Sequence, residues 1–155
     1  MKTKSYIFPY LYLMSLLAFA KTNSNSSIQQ KSVKTVAPQT VDSYLLIQKQ
    51  LAADSLEGVV GAAEQIHKNE TGELSQAGLK LSKSKTIEEA REAFKKVSNL
   101  VILSTSEKDR KGARVAYCPM AQAQWLQLGD SLKNPYYGAA MLECGRFETS
   151  APSKK

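Results

Sequence analysis

Two short segments near the C-terminal end of the chain contain most of its sulfur chemistry. In the first, Cys118 and Met120 lie two residues apart across a proline; in the second, Met141 and Cys144 lie three residues apart. Residues two apart in an extended segment point to the same side, and residues three apart on a helical turn share a face. Each segment is therefore expected to present its two sulfur atoms together, and the two pairs could converge.

Thiolate and thioether sulfurs are soft donors, and soft donors select Cu(I) or Ag(I) over Mg, Ca or Mn. Zinc is a poorer match, because methionine is a poor zinc ligand and the chain has one histidine. The pattern thus predicts a three- or four-coordinate site for a soft metal ion. The expected ligands are Cys118, Met120, Met141 and Cys144.

A structural interpretation of the same residues stays open. In an oxidising compartment, two isolated cysteines are disulfide candidates, and only the pairing of Cys118 with Cys144 exists. The two methionines would then be fillers of irregular gaps in the core. Both interpretations can hold as two redox states of one site, with metal capture dependent on reduction.

The residues between the two segments are expected to form a rigid frame. The aromatic residues Trp125, Tyr136 and Tyr137 should pack in the core or at its rim with their polar atoms hydrogen-bonded. A proline after an asparagine and a later glycine should exclude a continuous helix. The predicted framing residues are Pro119, Trp125, Asn134, Pro135, Tyr136, Gly138 and Gly145.

Catalysis has little support in the sequence. A thiol nucleophile requires a base, and His67, the only histidine, ends an apolar helical stripe. We interpret His67 as a hydrogen-bonded, partly buried residue. No paired carboxylates, glycine-rich phosphate loop or Ser-His-Asp set stands out, so we expect a protein that is not an enzyme.

The N-terminal region predicts export. Two lysines precede an apolar run from Ile7 to Ala20 that ends in a small-x-small pattern, which is typical of a secretory signal cut before Lys21. We therefore expect a bacterial protein in the periplasm or medium, without stable membrane insertion after cleavage. The expected organisation is a signal peptide at 1–20, a flexible tether at 21–39, a helical domain at 40–148 and a disordered tail at 149–155.

Charge argues against nucleic acid as a partner. The formal net charge of the 155-residue chain is +7, and it falls to about +5 when the two lysines of the leader are removed. The lysines between Lys68 and Lys111 are scattered among glutamates and are not interleaved with aromatic residues, as they would be in a nucleic-acid platform.

Hydrophobic periodicity predicts a mainly α fold. Apolar stripes predict helices near residues 41–53, 56–67, 73–81 and 86–104, and Gly58 and Gly61 are expected to permit close helix packing. Thr86 and Glu89 form a capping box at the start of the last helix. Arg114–Tyr117 should be extended, and Ala121–Leu128 should be a helical turn or an irregular loop. We expect three or four packed helices followed by a loop-rich C-terminal cap that carries the cysteines and methionines.

The ordered motif C-P-M, W-L, N-P-Y-Y-G and M-L-E-C-G resembles a bacterial domain-of-unknown-function family. The resemblance covers roughly residues 41–148, with Gln124 standing where members tend to have glycine. The family occurs in exported proteins and at the C-terminus of some periplasmic adaptor subunits of copper and silver efflux pumps. The resemblance implies an exported helical bundle, a link to heavy-metal handling, and a metal-efflux adaptor as the partner.

Overall fold

The structure, a computed structural model, describes residues 35–149. Four α-helices come first and a small sheet follows. The helices are α1 (Pro38–Ala52), α2 (Val59–Asn69), α3 (Gly72–Ser82) and α4 (Ile87–Ser104); the strands are β1 (Arg114–Cys118), β2 (Ala123–Gln127) and β3 (Arg146–Phe147). The predicted signal peptide, residues 21–34 of the predicted tether, and residues 150–155 of the predicted tail lie outside the described residues.

Helix α4 follows the predicted pattern most closely. Its N-cap Thr86 accepts a hydrogen bond from the Glu89 N–H (3.2 Å), which satisfies one of the unpaired donors at the helix start. The Glu89 carboxylate accepts from the Lys85 N–H (2.8 Å) instead of from Thr86, so the capping box is only half formed. The apolar stripe is buried in the core at Ala90, Phe94, Val97 and Val101.

Helix α1 begins earlier than the sequence predicted. Pro38 occupies its first turn, where the missing N–H of proline is not needed. Val36 is buried, and the Ala37 N–H donates to Glu70 Oε1 (2.9 Å). The folded region therefore includes residues that precede the boundary expected at residue 40.

Close packing between α2 and α3 depends on Gly78. A Cβ at this position would lie 2.9 Å from the His67 backbone nitrogen and 3.0 Å from the Ala63 carbonyl oxygen. The expectation that Gly61 permits close helix packing was wrong, because an added Cβ there would meet open space. Gly58 precedes α2 with φ +70°, and a Cβ there would lie 3.4 Å from Leu46 Cδ2 on α1.

The C-terminal cap contains a three-stranded antiparallel sheet in the order β2-β1-β3. The prediction of an extended segment at Arg114 is confirmed by β1. The prediction of a helical turn or loop at Ala121–Leu128 was wrong, because β2 occupies Ala123–Gln127. β2 has no clear alternation of buried and exposed residues, and it forms through pairing with β1 rather than from a local pattern.

A buried hydrogen-bonded chain ties the helices to the sheet. The Tyr44 hydroxyl on α1 contacts Ser98 Oγ on α4 (2.6 Å) and accepts from the Leu126 N–H on β2 (2.8 Å). Ser98 Oγ in turn donates to the Gln124 carbonyl oxygen (2.8 Å). This chain holds β2 against both helices. Within residues 35–149, none of the helices is long and apolar enough to cross a membrane.

Candidate functional site

Cys118 is the last residue of β1, and its side chain is fully buried. A tight turn follows at Pro119, in which the Gln122 N–H donates to the Pro119 carbonyl oxygen (3.3 Å). The turn aims the Ala121 N–H at Cys118 Sγ (3.4 Å). The strand end therefore presents the Cys118 sulfur to backbone donors.

Cys144 reaches the same place by a return of the chain. A 3-10 helix (Gly138–Met141) precedes it, and the Cys144 N–H donates to the Met141 carbonyl oxygen (3.0 Å). The Asn134 side-chain amide then donates to the Cys144 carbonyl oxygen (2.8 Å). Directly after Cys144, the chain pairs with β1 through Arg146 opposite Tyr117.

These two paths bring the cysteine sulfurs together. Cys118 Sγ and Cys144 Sγ lie 3.3 Å apart, and both cysteines are free thiols. A disulfide has an S–S length of about 2.05 Å, so the pair is a reduced dithiol in hydrogen-bond contact. The predicted disulfide is therefore not formed in this state, although the two residues are correctly placed as neighbours.

The two thiols have different proton affinities. Burial acts to raise the pKa of Cys118, but hydrogen bonds to its sulfur from two backbone N–H groups, the Cys144 thiol and the Asn134 amide outweigh burial and lower that pKa. The hydrogen bond from Cys144 to Cys118 stabilises the protonated form of Cys144 and raises its pKa, and partial burial acts in the same direction. The first proton to leave the pair therefore comes from Cys118, and Cys144 donates to the resulting thiolate.

The predicted thioether ligands occupy different environments. Met120 lies on the turn after Cys118, with 63% of its surface exposed. Met141 ends the 3-10 helix and is half-buried. The described contacts join the two cysteine sulfurs to each other, and coordination by Met120 or Met141 stays a prediction.

Several predicted framing residues hold the two cysteine segments. Trp125 is fully buried, and its indole N–H donates to Gln127 Oε1 (2.8 Å). Its ring meets the ring of Tyr136 edge-on at 5.9 Å between centroids. Tyr136 is buried, and its hydroxyl donates to the Gln124 carbonyl oxygen. The packing role expected for these two aromatic residues is confirmed.

Asn134 and Pro135 link the site to the helices. Asn134 is fully buried. Its Oδ1 accepts from the Tyr136 N–H (2.8 Å), and its side-chain N–H donates to the Cys144 carbonyl oxygen. The Pro135 carbonyl oxygen accepts from Arg91 Nε on α4 (3.1 Å). Hydrogen bonds from the Asn134 and Arg91 side chains to backbone atoms therefore fix the segment that leads to Cys144.

Gly138 makes room for an ion pair that the sequence did not predict. Arg91 Nη2 contacts Asp54 Oδ1 at 2.5 Å, and Asp54 Oδ2 accepts from the Ala139 N–H (2.8 Å). A Cβ on Gly138, which has φ +56°, would overlap both charged groups. Asp54 and Arg91 carry no local signal, because they lie 37 residues apart.

The remaining predicted framing residues lie at the surface of the site or beside it. Pro119 is exposed in its turn, and Tyr137 is half-buried. Gly145 passes close to β1 and Trp125. His67 is half-buried between α2 and α3, where its Nδ1 contacts Ser75 Oγ (2.8 Å), so its structural interpretation is confirmed.

Two observations complete the description of the site. Among residues 35–149, no cluster of three or more His, Cys, Asp or Glu side chains is arranged to hold a metal ion. Comparison of the chain with protein families, curated proteins and solved structures found no match.

Proposed function

We propose that the protein is an exported module that binds one soft metal ion, Cu(I) or Ag(I), between Cys118 and Cys144. The observation that carries the proposal is the 3.3 Å approach of two free thiols held on separate, fixed segments. Thiolates are the protein ligands that prefer such ions. The resemblance of the motif to a family linked with copper and silver efflux supports the same assignment.

The distance between the sulfurs suits a metal after a small adjustment. With a metal–sulfur length of about 2.3 Å, taken from zinc thiolates, the angle of about 120° in a three-coordinate site places two sulfurs about 4.0 Å apart. Each sulfur would move outward by a few tenths of an ångström. Because hydrogen bonds lower the pKa of Cys118, a metal would displace the proton of Cys118 more readily than that of an ordinary cysteine, and binding would also displace the proton of Cys144.

Two thioethers are candidates for additional ligands. Met120 is exposed two residues after Cys118, and its unbranched side chain has three rotatable bonds. Met141 lies three residues before Cys144. Either thioether would raise the coordination number to three without needing deprotonation.

Transfer to a partner fits the unequal exposure of the two cysteines. Cys118 is buried, whereas Cys144 is partly exposed. An incoming soft ligand from a periplasmic efflux adaptor would reach a metal on the Cys144 side and take it by ligand exchange. We propose this adaptor as the partner of the exported protein.

The test is competition for Cu(I) between the reduced protein and a chromophoric Cu(I) chelator under anaerobic conditions. The wild-type protein should remove one Cu(I) per chain, and Cys144→Ser should weaken binding at least a hundredfold. Cys144 is only half-buried, so this variant should keep its fold, which circular dichroism checks. Met120→Leu and Met141→Leu are matched variants that keep side-chain volume, and each should weaken binding far less. Unchanged Cu(I) affinity in Cys144→Ser would show that the pair of thiols does not bind the metal.

The same geometry favours a second candidate function, a disulfide-stapled interaction domain. The two cysteines are 26 positions apart, and closing such a loop stabilises a fold by roughly 3 to 4 kcal/mol in the chain-entropy model. At about 4 °C per kcal/mol, oxidation should raise the melting temperature by about 12–16 °C. A staple predicts this increase together with no Cu(I) binding by the reduced protein.

A further inference from the structure

An apolar cleft lies on the side of α1 that faces the C-terminal cap. Its volume is about 570 Å³, which is within the range of roughly 300 to 1,000 Å³ typical of small-molecule sites. Its lining is largely aliphatic and includes Leu45 and Leu46 from α1, Leu128 after β2, and Leu142 before Cys144. The cleft is lined by residues far apart in the chain.

Two leucines that line the cleft are unusually exposed to solvent. Leu46 is 42% exposed and Leu128 is 56% exposed, and both belong to the few large hydrophobic side chains that residues 35–149 leave exposed. Single exposed leucines need no explanation, but two that line one concave site mark a candidate binding surface.

Two cations flank this apolar lining. Lys49 from α1 and Lys133 from the loop before Asn134 both line the cleft, and both are exposed. Neither lysine has an ion-pair partner among residues 35–149, and no acidic residue is part of the lining. The one neutral polar group, the Gln48 amide, already donates to the Lys133 carbonyl oxygen (2.7 Å).

We propose that this cleft binds an amphipathic anion with a single alkyl chain, such as a long-chain carboxylate. The alkyl chain lies against the leucines, where its burial drives binding. The carboxylate pairs with Lys49 and Lys133 at the edge of the cleft. The combination of an aliphatic lining with two unpaired cations complements this class of ligand and disfavours neutral or cationic amphiphiles.

The cleft is a site distinct from the dithiol. Leu142 lines it, and the Leu142 carbonyl oxygen accepts from the Asn134 N–H (2.8 Å), but neither cysteine belongs to its lining. Binding of the carboxylate should therefore persist in the Cys144→Ser variant, which separates this proposal from that of metal binding.

The test is displacement of a fluorescent fatty acid from the full chain by sodium dodecanoate below its micellar concentration. Affinity should rise about tenfold for every two methylenes between octanoate and dodecanoate, because each buried methylene adds a similar increment. Dodecanol and dodecylammonium, which have the same chain length, should bind at least tenfold more weakly than dodecanoate.

Matched variants locate the site. Leu46→Glu and Leu128→Glu should each weaken dodecanoate binding at least tenfold, whereas Leu103→Glu, at a 50% exposed position on α4, should not. Lys49→Glu with Lys133→Glu should weaken dodecanoate but not dodecanol. Lys80→Glu with Lys108→Glu changes the net charge equally at exposed positions outside the cleft and should leave both ligands unaffected.

Three results would overturn the proposal. They are an absence of saturable binding, equal affinity for dodecanoate and dodecylammonium, or wild-type affinity in both Leu46→Glu and Leu128→Glu. Sedimentation supplies a further check. A dimer of the unliganded protein that Leu128→Glu abolishes would assign the cleft to contact between two copies of the chain, and the ligand proposal would fail.

Discussion

Replacing Gly145 by alanine tests the close return of the chain that places Cys144 beside Cys118. Gly145 has φ +144°, and a Cβ there would lie 2.8 Å from the Tyr117 carbonyl oxygen and 2.9 Å from the Trp125 ring. Tyr117 belongs to the central strand, and Trp125 is fully buried. Neither neighbour can swing aside, so the backbone itself has to move.

The expected loss of stability has three parts. A non-glycine residue in this backbone region costs about 1 to 3 kcal/mol, and overlap with fixed neighbours adds about 1 to 3 kcal/mol. Alanine also lowers the conformational entropy of the unfolded chain, which stabilises the folded state by about 0.4 to 1 kcal/mol. The net loss is therefore about 3 kcal/mol, which corresponds to a fall of about 12 °C in melting temperature for a domain of this size.

Thermal unfolding of the reduced protein, followed by circular dichroism, measures this effect. Gly61→Ala is the matched control, because Gly61 lies in α2 and its added Cβ would meet open space. That variant should gain about 0.5 kcal/mol, since alanine is favoured over glycine in a helix. If Gly145→Ala melts within 2 °C of wild type, on the scale of about 4 °C per kcal/mol, the close approach of Gly145 to β1 is not as described.

Three further predictions concern groups at or near the site. In Cys144→Ala, the ultraviolet absorbance of the thiolate should show a higher pKa for Cys118 than the first pKa of the wild-type pair, because one hydrogen-bond donor to its sulfur is lost; a lower value would contradict the inferred direction of that bond. The pKa of Asp54 is lowered, chiefly by a backbone hydrogen bond and by its arginine partner, so its contribution to stability is present above the unfolded pKa of about 3.9 and disappears as pH falls through the folded value. Denaturant unfolding between pH 2 and pH 6, a range chosen to span that pKa, should therefore show a smaller acid-side loss in Asp54→Asn, and an identical loss would refute this assignment. Tyr44→Phe removes the acceptor of the buried Leu126 N–H and should destabilise the protein by about 1 to 3 kcal/mol in urea unfolding, whereas a neutral change would show that the bond is dispensable.

The helices could be predicted from the sequence because the patterns that specify them are local. The α4 stripe repeats at helical spacing, and Thr86 caps its first turn. The buried positions of α1 at Val41, Tyr44, Ile47 and Leu51 follow the same rule. In each case, residues three or four apart suffice to specify which face is buried.

The site could be predicted only in part, because the residues that contact each other there are distant in the chain. The types and spacing of Cys118 and Cys144 indicated that the two residues could converge, either as metal ligands or as a disulfide. The missed strand β2 depends on pairing with β1 and on Tyr44, which lies 82 positions before Leu126. The ion pair between Asp54 and Arg91 likewise forms only after folding. No short sequence window contains both members of these contacts.

The buried tryptophan makes the site observable without a label. Trp125 is the only tryptophan in the chain, and its ring lies beside Gly145, the residue after Cys144. Its emission in the folded protein should be shifted to shorter wavelength, as is usual for an indole shielded from water. If a metal ion binds Cys118 and Cys144 as proposed, this emission should change, so a single optical signal would report both metal loading and unfolding.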